Sequence, residues 1–159
     1  MSEILEPVET TEEPTPETPA QPPASTSVLN LAVESVISMI DAMGNFAAMK
    51  RGALGSGNGL TCEIAPSMVD SVFMDKNSYV PLTLALNGKH KNLQTLSDTL
   101  NNIIDTLTRK TSYADGNGFE IVDITSGNLP RVIGREPDNA WLMACDLVIK
   151  IYRKDNETT

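Results

Sequence analysis

Catalytic equipment is what this chain has least of. Of its 159 residues, one is histidine (His90), two are cysteine (Cys62 and Cys145) and one is tryptophan (Trp141). A single histidine with no cysteine beside it and no Gly-x-Ser-x-Gly elbow leaves no sequence basis for a hydrolytic triad. A lone histidine also lacks the paired spacing of a zinc site, so neither a metal nor a cofactor is expected. Two cysteines are too few for a disulfide framework. Each stands in an apolar run and reads as a buried thiol, and a redox pair would require the two strands to be neighbours.

Aromatic residues make up only 4% of the chain, and basic residues number 12 against 21 acidic. That balance argues against a free-standing nucleic-acid binder. No run approaches the roughly 20 apolar residues that a membrane helix needs, so no membrane partner is expected. The glycine-rich stretch KRGALGSGNG at 50–59 leads into a strand-like segment and lacks the Gly-Lys-Ser/Thr ending of a phosphate-binding loop. A soluble, intracellular, non-enzymatic protein is the expectation.

The acid is unevenly distributed. Residues 1–27, MSEILEPVETTEEPTPETPAQPPASTS, hold six glutamates, six of the ten prolines and no basic residue. Few apolar side chains offset the entropy of ordering such a segment, so it reads as an extended leader. It lacks the basic start and apolar centre of a secretion signal. Residues 28–159 are expected to form one domain, carrying most of the apolar content and little net charge.

Within that domain the apolar periodicity changes several times. Leu29, Val33, Val36, Ile37, Ile40 and Met43 recur at helical steps, predicting a helix over 28–49 with an unusually broad apolar surface. Residues 50–59 then read as a flexible connection. Leu60, Cys62 and Ile64 alternate as a strand, and two apolar runs around Asp75–Ser78 form a hairpin signal. Pro81, without an amide proton, is expected near an edge or strand end. Leu93, Leu96, Leu100, Ile103, Ile104 and Leu107 make one stripe of a helix over 91–109, with His90 at about its start. A strand from Phe119 to about Thr125 follows, then a polar loop over 126–140 broken by Pro130, Gly134 and Pro137. The last run, 141–152, alternates over twelve residues and is long enough to project beyond the sheet. Helix, strand, hairpin, helix, strand, strand predicts an α+β fold, a mainly antiparallel sheet with two amphipathic helices on one face.

The corner LNGKHKNLQTLSDTLNNI, with the apolar strand before it and the strands after it, carries a resemblance. Pro81, Leu82, Asn87, Lys89, Lys91, Gln94, Asp98 and Leu100 stand at spacings that resemble the bacteriophage minor capsid proteins acting as tail terminators of long-tailed phages of Gram-positive bacteria. The similarity runs from about Ser71 to Tyr152. Family members often carry a small hydroxyl or acid where His90 and Asn92 stand, and the acidic leader is outside the pattern. The resemblance implies a homo-oligomeric six-membered ring at the head-proximal end of the tail in the virion. Such a ring caps the tail tube protein, stops its polymerisation and meets the head connector proteins. Expected subunit, tail or connector contacts are Lys89 and Lys91 at the corner, and Arg131, Val132, Ile133 and Arg135 in the long loop. The competing reading is a monomeric adaptor whose acidic leader recruits a partner.

Overall fold

The computed structural model describes residues 27–65, 71–113 and 115–154. The leader, apart from Ser27, lies outside the described residues.

Helix α1 (Val28–Asp41) buries Ala32, Val33, Val36, Ile37 and Ile40, which recur every three or four residues. The Ser27 carbonyl accepts from the Leu31 amide, although its hydroxyl does not cap the helix. The helix ends eight residues earlier than its apolar run predicts. Gly44 takes a positive φ that breaks the path, and the Asp41 carboxylate accepts the Met49 amide. Apolar residues beyond Asp41 pack on the core from the following turns, so the broad surface is not all helical.

Strand β1 (Met49–Arg51) takes part of the supposed flexible connection and pairs parallel to β2 (Gly59–Ala65). Parallel neighbours normally need a crossover of a dozen or more residues. Here residues 52–58 make the return, and Gly52 at φ 100° takes a conformation closed to most side chains. The short strand β3 (Ser71–Val72) and β4 (Ser78–His90) form the expected hairpin, with Lys76 at positive φ in its turn.

Helix α2 (Leu93–Thr108) starts after only two residues. Its N-cap is Asn92, whose side-chain oxygen accepts the amides of Gln94 and Thr95 at 2.9 and 3.2 Å. His90 is therefore the last residue of β4 rather than a helix-start residue, and the corner shrinks to Lys91 and Asn92. Strand β5 (Phe119–Arg135) and strand β6 (Trp141–Arg153) complete the structure.

The sheet order is β1-β2-β4-β6-β5, with β3 also on β4, and every described pairing except β1–β2 is antiparallel. The α+β expectation is met. One face of β4 (Leu82, Leu84, Leu86) and of β6 (Met143, Cys145, Leu147, Ile149, Ile151) joins the apolar stripes of both helices in one core. Gly88 lies on that face where α2 begins: a Cβ there would come within 2.5 Å of a Leu96 methyl. Glycine is what lets the helix start so close to the strand.

Three expectations need correction. β6 does not project, because β4 flanks it from Trp141 to Arg153 and β5 covers the same span on its other side. Residues 126–135 are strand, not loop, and only 136–140 form the connection. β5 keeps its pairing through four register irregularities, which absorb the residues that spoil simple alternation. Finally, Pro81 sits inside a central strand. Its β6 side pairs at Lys150, but on the other side β3 stops at Tyr79 and β2 starts at Thr83. Among the described residues no strand pairs with Pro81 on that side, the freedom that proline ordinarily finds at an edge.

Candidate functional site

The two lysines of the corner have different surroundings. Lys89 is only 2% exposed. Its ammonium donates to a Glu136 carboxylate oxygen and, at 3.2 Å, to the Ser56 carbonyl, with Asp138 at 3.6 Å. One side chain from β4 thus fastens the 52–58 loop to the 136–140 turn. The hydrogen bond to Glu136, more than any other cause, raises the Lys89 pKa above the ordinary lysine value. Asp138 moves the other way. Its carboxylate accepts the Ala140 amide, the main cause, and the charges of Lys89 and Lys91 lower its pKa further. Lys91 is exposed. The Lys89 charge at this corner is therefore already met by the chain's own carboxylates, whereas Lys91 is in no ion pair among the described residues.

His90 packs edge-on against Phe46 with ring centroids 4.7 Å apart, and its Nδ1 accepts the Asn92 amide at 2.9 Å. The arrangement fixes the turn between β4 and α2.

Arg131, Val132, Ile133 and Arg135 all fall on β5, the last strand of the sheet, whose outer side has no strand partner among the described residues. Val132 and Ile133 are 47% and 53% exposed, and Leu129, absent from the sequence-derived set, is 70% exposed. Arg135 lies over the Trp141 ring at 4.8 Å to its centroid, and Arg131 pairs in register with Ala144. Neither arginine is in an ion pair among the described residues. The structure thus places these four together on one strand. Lys91, near Asp138 in the adjoining turn, lies toward the same end of the sheet.

A second apolar surface was missed from the sequence. Val72 and Phe73 are exposed and Met74 fully so, at the tip of the β3–β4 hairpin. Phe73 also packs edge-on against Tyr79, which in turn lies beside Tyr152. The tip is level with Ser78 in β4, whereas Arg131 is level with Asn87 through Ala144. Nine residues along a strand separate those levels by about 30 Å. The signal was legible: VFM directly before the turn is more apolar than a solvated hairpin tip requires.

Cys62 and Cys145 are both buried and free. They flank Leu86 in one row of the sheet, with β4 between their strands. Two strand spacings put their Cα atoms about 9.5 Å apart, beyond disulfide reach. Burial is the main cause that pushes the Cys62 thiol up to about 11 and the Cys145 thiol up to about 12. Among the described residues, no cluster of three or more histidine, cysteine, aspartate or glutamate side chains is placed to hold a metal ion. No described helix is long and apolar enough to cross a membrane.

No protein-family model matches the sequence, and no curated protein matches it. Among solved structures, the chain is similar to one from the virion of a native gene transfer agent particle. The identity is 12% and the TM-score 0.45, covering 78% of this chain and 90% of that one.

Proposed function

We propose that this chain is a structural assembly protein of a tailed phage or phage-like particle, a tail terminator. Copies join in a six-membered ring that caps the tail tube, stops its growth and presents a surface to the head connector. One observation carries the reading: two unlike apolar surfaces, the hairpin tip at Val72–Met74 and the β5 edge at Leu129–Ile133, lie at opposite ends of the sheet. Surfaces that differ and stand apart favour head-to-tail contacts, which close into a ring when the rotation permits. The sequence resemblance supplies the ring's place in the virion. Arg131 and Arg135 flank the apolar residues of the β5 surface, and Lys91 lies at its margin. Lys89 acts from beneath by holding the 136–140 turn.

Native mass spectrometry of the purified chain with and without its tail-tube protein tests the proposal. The wild type forms a six-membered species, alone or on the tube end, and electron micrographs of particles place it at the head-proximal end of the tail. Ile133→Lys and Met74→Lys, each at an exposed site, abolish that species while leaving the far-UV spectrum and melting temperature unchanged. A wild-type chain that stays monomeric with the tube protein, or binds one-to-one to an unrelated host protein, overturns the reading.

A further inference from the structure

The exposed half of β5 has a composition that the rest of the sheet does not share. Residues 129–135, Leu-Pro-Arg-Val-Ile-Gly-Arg, contain two arginines, three large apolar side chains and no acid. They lie on a strand whose outer edge has no strand partner among the described residues, with Leu129, Val132 and Ile133 exposed. Such an edge is a template for another strand, and a protein normally covers or blunts it. Pro130 and the register irregularities blunt it in part.

The chain carries a segment of opposite character. Residues 2–9, Ser-Glu-Ile-Leu-Glu-Pro-Val-Glu, combine three glutamates with Ile4, Leu5 and Val8 and hold no basic residue. Acid meets arginine and aliphatic meets aliphatic, the pairing by which an extended peptide adds to a sheet edge. The tether is long enough. Seventeen residues, 10–26, separate this segment from Ser27 and span up to about 58 Å when extended. The domain's radius of gyration is about 14 Å, so either side of it is within reach. A tether of this length also supplies an effective concentration of about millimolar, enough for a short strand contact to form within one molecule.

We propose that residues 2–9 dock along the 129–135 edge of their own chain in the free subunit, shielding that edge until assembly. The leader is then a built-in cover whose removal exposes an assembly surface. Shielding for assembly rests on the ring reading, but the docking itself does not.

Amide hydrogen exchange on the full-length chain, at low salt and at a dilution where native mass spectrometry shows only monomer, tests it. The outward amides of 128–135 exchange slowly in the wild type. Glu3→Lys, Glu6→Lys and Glu9→Lys together accelerate them about tenfold, the scale of losing a few exposed ion pairs and an apolar contact together. Arg131→Glu with Arg135→Glu has the same effect, and combining both sets restores protection because the charges again complement. Exchange that is equal in the wild type and the leader variant overturns the proposal, as does failure of the combined set to restore protection. Protection that disappears on dilution belongs to a second copy and also overturns it. An unchanged far-UV spectrum and melting temperature in each variant separate loss of docking from loss of fold. Ring formation is scored in a different experiment, so failure of the ring reading and failure of leader docking give different results.

Discussion

Replacing Gly88 with alanine adds one carbon to the most crowded point of the core. That carbon would sit 2.5 Å from a Leu96 methyl, 3.3 Å from a Leu60 methyl and 3.6 Å from a Leu100 methyl. The first separation is about 1 Å inside ordinary carbon–carbon contact, and the second is marginal. Leu60, Leu96 and Leu100 are all fully buried or nearly so, so none can swing into solvent. Relief must come from an off-rotamer leucine or from the first turn of α2 lifting off β4. Only Lys91 and Asn92 join the two elements, so lifting the helix also strains its cap. Overpacking of this kind costs about 1–3 kcal/mol. At about 4 °C per kcal/mol for a domain of this size, the melting temperature falls by about 4–12 °C. Calorimetry or thermal circular dichroism measures it, with Gly57→Ala as a control, since a Cβ at Gly57 meets nothing within 4 Å. If Gly88→Ala melts with the wild type, α2 does not press on β4 here and the account of the corner is wrong.

Asn92→Ala removes the acceptor for two amides of the first turn of α2 and lowers stability by about 1 kcal/mol, read from the urea midpoint. The Lys89 cluster has a pH window. Asp138, with a lowered folded pKa, contributes above its unfolded value and ceases to as pH falls through the folded one. Lys89, with a raised pKa, contributes fully below its unfolded value and ceases to as pH rises through the folded one. Trp141 fluorescence, beside the clamped turn, is therefore flat through neutral pH and changes at the acid and alkaline extremes; Lys89→Met makes the 136–140 amides exchange faster at pH 7. The two thiols have folded values of about 11 and 12, so stability declines as pH rises above the ordinary thiol range. At pH 8 neither reacts with a thiol reagent until the chain unfolds, and mild oxidant forms no internal disulfide.

Wherever a single periodicity had one physical cause, the sequence was readable. The α2 stripe, the alternation of β6 and the hairpin around Asp75–Ser78 appear where their patterns place them, because each element buries one face. β5 resisted because its second half is neither buried nor regular. Bulges break the alternation, and Gly127, Pro130 and Gly134 imitate loop chemistry while β6 supplies the pairing that keeps the segment extended. β1 was hidden for a related reason: three residues carry no period, and only β2 beside them makes a strand. Four of the sequence-derived contact residues share an exposed edge. Lys89 instead lies inside an ion cluster, because Glu136 and Asp138 arrive from a turn 47 or more residues away in the chain, beyond what local spacing can show.

The position of β6 has a temporal consequence. The strand lying between β4 and β5 is the last described element to leave the ribosome. Until residues up to Ile151 have been synthesised, β4 and β5 have no ladder between them, and the leucines beneath α2 lack their floor. Synthesis adds about 5–20 residues per second, so the partly made chain spends seconds with apolar flanks open. Chaperone dependence should therefore track the emergence of 141–151 and be relieved abruptly once that stretch inserts.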